Sequence, residues 1–187
     1  MENMKFCQSC GMPMEEESLY GKNYDGSKNE DYCCYCYPSG FFNNPHETME
    51  EMIESCIPHM ITSEENPTEF PDAETARKVM QKHLPTLKRW KPACMLVTFK
   101  LKEDTSTEEF LAASDDIQKN YLSTCAGFIT RQLMVADNVW TDWIIWKNPG
   151  AAQTAMMNSE SNESAVKFMS MCGEVMENSL YPLERSY

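Results

Sequence analysis

The sequence predicts an α+β fold, and three observations carry the prediction. Residues 5–44 hold two C-x-x-C pairs among Tyr, Gly and Asn and show no long helical period. Residues 45–91 place apolar side chains at helical spacing. Residues 92–187 alternate strand-like and helix-like segments in the order β-α-β-β-α-β. The chain is therefore read as three stretches: 1–44 a metal-binding ribbon, 45–91 a helical connector, and 92–187 a sheet domain.

The helical stretch has clear start signals. Thr48 followed by Glu51 matches a capping box, and Met49, Met52, Ile53, Cys56 and Ile57 follow at helical spacing. Pro58 strains the end of this helix. Thr62 to Pro71 reads as a linker. Asp72 can cap a second helix whose apolar face is Ala76, Val79, Met80, His83, Leu84 and Leu87.

In the last stretch Met95 to Phe99 is a strand. Ser106 or Thr107 opens a helix with Phe110, Leu111, Ile117 and Tyr121 on its apolar side. Gly127 to Val135 and Val139 to Trp146 form a hairpin around Asp137-Asn138. Asn148-Pro149-Gly150 opens a helical region, broken at Asn158–Asn162 and resumed over Ala165 to Met171. A last strand lies within Gly173–Leu180. This is the split βαβ, or ferredoxin-like, pattern. Helices on one face of such a sheet leave the other face to be covered, by the N-terminal part or by a second copy of the chain.

Composition excludes some roles. The protein has 187 residues, 42% hydrophobic and 24% charged, as soluble domains do. No apolar run approaches a membrane span. The first residues lack a basic segment followed by an apolar one, so no export signal is expected and the expected location is the cytoplasm. The net charge is −13. Residues 1–75 hold 16 of the 29 acids and 3 of the 16 bases, the wrong sign for a phosphate backbone. Eight bases lie between Arg77 and Lys102; they read as a solvated helix face, a surface docked on the acidic N-terminal part, or an anion site.

The nine cysteines, without an export signal, argue for metal binding over a disulfide framework. Cys7-Gln8-Ser9-Cys10 and Cys33-Cys34-Tyr35-Cys36 are separated by 22 residues. Two such turns brought together make a tetrahedral S4 cage suited to Zn²⁺, with iron as the chemical competitor and a redox C-x-x-C as the alternative. Four thiolates leave no position for water, so one structural zinc per chain is expected, with no catalytic role for it. Cys34 is a bystander. Cys56 and His59 share a helix face, and His46 and Cys34 are the other possible donors, but too few ligands converge for a second metal.

The segments Phe6 to Met14, Gly21, Asp25-Gly26-Ser27, Tyr32 to Tyr37 and Gly40 resemble the family of bacterial and archaeal proteins described as "putative zinc ribbon". Thr48 to Ile53 and Leu84-Pro85-Thr86-Leu87-Lys88-Arg89-Trp90 also resemble it. The resemblance implies the same four ligands and no reaction. Residues 93–187 resemble the dimeric α+β barrel superfamily through the element order, Gly127-Phe128, and the passage Trp146-Lys147-Asn148-Pro149. That resemblance implies a homodimer built by two sheets packed face to face. Members of the superfamily include monooxygenases, haem-linked enzymes and proteins of no known chemistry.

The candidate pocket residues in such a barrel are Arg131, Asp142 and Thr98, polar groups within apolar strands. Arg131 and Asp142 either pair across the hairpin or line a pocket in which Arg131 binds an anion. Alternation puts Trp140, Asp142, Ile144 and Trp146 on one face of their strand, and Val139, Thr141, Trp143 and Ile145 on the other. Both faces are apolar enough to be buried. His46, His59 and His83 are the possible haem ligands, and none lies in residues 92–187; His83 reads as a packed residue. The expectation is a zinc protein that binds a small ligand or a partner protein and dimerises through its C-terminal sheet, without nucleic acid or membrane. The alternative is a small monooxygenase-like oxidoreductase with its active site inside the C-terminal barrel.

Overall fold

The computed structural model of the protein describes residues 4–61 and 70–184. Most of the Thr62–Pro71 linker falls outside the described residues. The chain divides into two compact units, Met1–Lys91 and Pro92–Tyr187.

The N-terminal unit begins with two short hairpins. Strands β1 (Lys5–Phe6) and β2 (Pro13–Met14) pair antiparallel, as do β3 (Tyr20–Lys22) and β4 (Lys28–Cys33). Helix α1 (Met49–Met60) starts on the Thr48–Glu51 capping box, formed in both directions. It runs through Pro58 for its last turn. Helix α2 (Ala73–His83) is capped by Asp72, which accepts from the Thr75 N–H at 2.7 Å. Two 3₁₀ turns, Leu84–Thr86 and Lys88–Trp90, follow it.

The small core of this unit joins the helices to the cysteines. Met52, Ile53 and Ile57 of α1, and Ala76 and Met80 of α2, are buried with Cys7, Cys33 and Cys36. Val79, expected on the buried face of α2, is 41% exposed. Helical spacing defines a stripe about 100° wide, and Val79 sits at its edge.

The C-terminal unit is a four-stranded antiparallel sheet with helices on one face. Its elements are β5 (Ala93–Leu101), α3 (Thr107–Asn120), β6 (Phe128–Ala136), β7 (Val139–Trp146), α4 (Pro149–Ser159), α5 (Glu163–Met171) and β8 (Cys172–Pro182). The strand order is β6-β7-β5-β8. Numbered within the unit this is 2-3-1-4, the ferredoxin-like order that the sequence pattern implies. The β6–β7 turn uses positive φ at Asp137 (51°) and Asn138 (61°), a geometry these two residue types tolerate.

Aromatic rings fill the space between sheet and helices. Phe110 of α3 lies 4.7 Å from Trp140 and 5.1 Å from Phe168, centroid to centroid. The Tyr121 hydroxyl donates to the Ala155 carbonyl. Trp140, Asp142, Ile144 and Trp146 form the helix-facing set of β7 and are all buried. The opposite set differs from expectation: Val139, Thr141 and Trp143 are only half-buried, and Ile145 alone is buried. One chain leaves that face of the sheet partly open. Leu111, expected to be buried on α3, is 44% exposed.

Candidate metal centre

Each C-x-x-C turn is built by its own backbone. In the first, the Cys7 N–H donates to Met12 O at 2.8 Å and the Gly11 N–H to Cys7 O at 2.9 Å. Gly11 has φ +78°, and a Cβ there would come within 3.2 Å of the His83 ring. In the second, the Cys36 and Tyr37 N–H groups both donate to Cys33 O, at 3.1 and 2.9 Å. Gly21 lets the strands close on this turn, since a Cβ would stand 2.3 Å from Tyr37 O.

These turns bring the sulfurs of Cys7, Cys10, Cys33 and Cys36 within 4.8 Å of one another. Cys10 Sγ and Cys33 Sγ lie 3.9 Å apart. A tetrahedral site with Zn–S bonds of about 2.3 Å places its sulfurs about 3.8 Å apart, whereas a disulfide needs about 2.05 Å. All nine cysteines are free of disulfides. The sulfurs compete for charge. Hydrogen bonding with Cys10 holds the Cys7 thiol well below its ordinary value, and hydrogen bonding with Cys33 holds Cys10 well above it. A divalent cation at the centre would let all four ionise. Geometry and donor set both suit zinc.

A second tier holds the first turn in place. The Arg89 N–H donates to Gln8 O at 3.0 Å, Arg89 Nη1 to Ser9 Oγ at 2.9 Å, and Trp90 Nε1 to Ser9 O at 2.9 Å. Arg89 Nη2 also donates to Asn44 O at 2.6 Å and pairs with Glu47 at 3.2 Å. Its guanidinium lies over Phe42 and Trp90, 4.5 and 4.9 Å from their centroids. The charge count over Arg77–Lys102 hid this role. The one signal for it was the place of Leu84–Trp90 among the segments that resemble zinc ribbons. Other bases of the run are paired too: Arg77 with Glu54 at 2.8 Å, Lys88 with Asp31 at 2.6 Å and Lys100 with Glu174 at 3.1 Å.

The three pocket candidates of the C-terminal unit do not converge. Arg131 and Asp142 face the helices and bind each other, with Nε to Oδ1 at 2.8 Å and Nη2 to Oδ2 at 2.7 Å. Arg131 Nη1 also donates to Ser114 O at 3.2 Å. Thr98 pairs in register with Thr141, on the opposite face of the sheet. A cavity that the sequence did not reveal lies instead in the N-terminal unit. It measures about 1170 Å³ and reaches from Cys10 and Cys36 to α1 and α2. Cys56 and His59 line it, as their shared helix face allows, and so does His83.

No curated protein matches the chain in sequence. Among solved structures, the cofactor-independent oxygenase SnoaB from Streptomyces nogalater is similar at 14% identity and a TM-score of 0.44, over 51% of this chain and 96% of that one. A dimeric ferredoxin-like protein from an uncultured marine organism is similar at 11% identity and a TM-score of 0.40, over 54% and 94%. A conserved protein from Methanosarcina mazei is similar at 14% and 0.40, over 50% and 94%. Residues 6–91, a little under half of the chain, match the family described as "Putative zinc ribbon domain".

Proposed function

We propose that the protein is a binding protein organised by a structural zinc, and that the zinc performs no catalysis. Cys7, Cys10, Cys33 and Cys36 are its ligands, one ion per chain. The observation that carries this reading is the convergence of four sulfurs within 4.8 Å. Four thiolates complete a tetrahedral sphere, so no position remains at which water or substrate could be activated. The metal instead replaces core that the ribbon is too short to build. Nine free cysteines fit a reducing compartment, the cytoplasm. Acidic residues and paired bases fit a partner other than nucleic acid.

The C-terminal unit supplies the assembly surface. Its open sheet face carries Leu96, Met134, Trp143 and Tyr181, which register places together with Thr98 and Thr141. Gln132, Glu177 and Ser179 share the face, and a second copy packed face to face is the partner that its exposed apolar residues suit. No helix among the described residues is long and apolar enough to cross a membrane.

X-ray absorption at the zinc edge tests the metal reading. Four sulfurs at about 2.3 Å are expected. A nitrogen or oxygen in the sphere, or a zinc content well below one per chain, would overturn it. Sedimentation of wild type and Trp143→Glu tests the assembly: the wild type should be a dimer and the variant a folded monomer.

A further inference from the structure

The cavity in the N-terminal unit is large for a unit of this size and exceeds the roughly 300–1,000 Å³ typical of ligand sites. Its walls are mainly apolar and polarizable. Met12, Met52, Met60 and Met80 bring four thioethers to it. Phe6, Tyr35 and Phe70 add aromatic rings. Cys56 on α1 turns its thiol to the Met52 sulfur, 3.7 Å away. Such walls adapt to bulky apolar groups.

The charge of the walls selects among apolar ligands. Among the described lining residues Arg89 is the one arginine and there is no lysine, and the Arg89 charge is balanced by Glu47 at 3.2 Å. Cys10 and Cys36, two of the four cysteines of the metal centre, line the cavity. Four thiolates around one Zn²⁺ carry a net double negative charge; this step rests on the zinc reading. The N-terminal unit as a whole has the same sign, with 16 acids against 9 bases in residues 1–91. Among the described lining residues an anion entering this cavity would meet no uncompensated arginine or lysine, only the imidazoles of His59 and His83. A cation would meet negative sulfurs and aromatic faces.

We propose that this cavity binds a small organic cation whose charge is set among apolar groups, such as a substituted ammonium. The methionines and aromatic rings receive the apolar groups. The metal-bound sulfurs and ring faces receive the charge.

Two probes of nearly equal shape and opposite charge test this: tetraphenylphosphonium and tetraphenylborate. Each is titrated calorimetrically into the full-length zinc-loaded protein and into Val79→Lys. Val79 lines the cavity and is 41% exposed, so a lysine is accommodated on α2 without disturbing the core. Tetraphenylphosphonium should bind at one per chain. Tetraphenylborate should bind more weakly by about tenfold or more, and Val79→Lys should weaken the phosphonium by a similar factor. Equal affinity for both ions, no binding of the phosphonium, or binding indifferent to Val79→Lys would each overturn the proposal. Zinc content read on the same samples keeps the two readings apart: a fully loaded protein that ignores the phosphonium defeats the cavity proposal and leaves the metal centre standing.

Discussion

Arg131 and Asp142 form a two-pronged ion pair across the β6–β7 hairpin, and both side chains are nearly sealed from solvent, at 5% and 6% exposure. Arg131 also lies over Phe168, 5.0 Å from its centroid, so its charge is set among core aromatics. A buried pair of this kind is weak evidence of net stabilisation, but breaking it leaves one charge stranded. Asp142→Ala should destabilise the C-terminal unit by about 3–5 kcal/mol, and Arg131→Met with Asp142→Leu should recover most of that loss. Denaturant unfolding followed by tryptophan fluorescence measures both. A single variant as stable as wild type would show that the charges are not sequestered.

Metal removal should act on the N-terminal unit as a whole. Helices α1 and α2 bury Met52, Ile53, Ala76 and Met80 against the cysteines, so their core is completed by the cluster. Cys36→Ser, or a strong chelator, should release the metal and melt both hairpins together with these helices. Amide resonances of residues 5–60 and of α2 (Ala73–His83) should collapse toward random coil, while those of the C-terminal sheet persist. Retention of α1 and α2 after complete metal loss would show that the helices fold without the cage.

Several features were legible in the sequence because their causes are local. The Thr48–Glu51 box and the Asp137-Asn138 turn each depend on a few neighbouring residues and stand where the sequence puts them, and of the two starts open to α3, Ser106 and Thr107, Ser106 is the cap. The β7 limits, Val139–Trp146, follow from the same logic. The spacing of the cysteines is equally local, and their sulfurs converge. Alternation along β7 separates two sets of side chains but contains nothing to say which set the helices cover. That answer comes from Phe110 and Phe168, contributed by α3 and α5. Val79 and Leu111 were misplaced because periodicity gives a stripe without its edges. The grip of Arg89 on Ser9 joins residues 80 apart, and the cavity is lined by segments scattered from Phe6 to Arg89.

That grip makes a prediction about metal retention. Arg89 and Trp90 hold both Gln8 and Ser9, the residues between the first two cysteines. Lysine in place of Arg89 keeps the charge but loses the planar fork that reaches Ser9, Asn44 and Glu47 together, and the stack on Phe42. Groups that orient a metal site from behind commonly change its affinity by about 10–100-fold. Arg89→Lys should therefore release zinc to a chromogenic chelator about tenfold faster or more, while Lys82→Ala, on the exposed side of α2, should not. Equal release rates would reduce Arg89 to a core residue with no hold on the turn.

Cys172 should be a sluggish thiol. Burial, above all, pushes it up to about 11, with the Asp142 charge adding to the effect, and its Sγ donates to Phe168 O at 3.6 Å. Its thiolate is therefore scarce at neutral pH. In zinc-loaded protein, alkylation of Cys172 by iodoacetamide should be slow at pH 8 and should accelerate only as pH rises toward 11. Mass spectrometry of the tryptic peptides reads the rate directly. Rapid labelling at pH 8 would mean that the β8 start opens to solvent.

The two capping boxes predict an acid sensitivity of definite sign. Glu51 is held below its ordinary value of 4.5, first by the Thr48 N–H and then by the Thr48 hydroxyl. Glu109 is held below the same value, first by the Ser106 hydroxyl and then by the Ser106 N–H. A carboxylate whose value falls on folding stabilises the folded state above its unfolded value. That contribution is lost as pH drops below 4.5 and through the depressed folded value. Side-chain carboxyl resonances should accordingly titrate below 4.5 for both residues. Ser106→Ala removes the larger cause at Glu109 and leaves the backbone donor, so its midpoint should rise part of the way to 4.5, with a stability cost of about 1 kcal/mol at neutral pH. The Glu51 midpoint should stay where it is. A Glu109 midpoint unmoved by Ser106→Ala would show that the hydroxyl does not hold the carboxylate in solution.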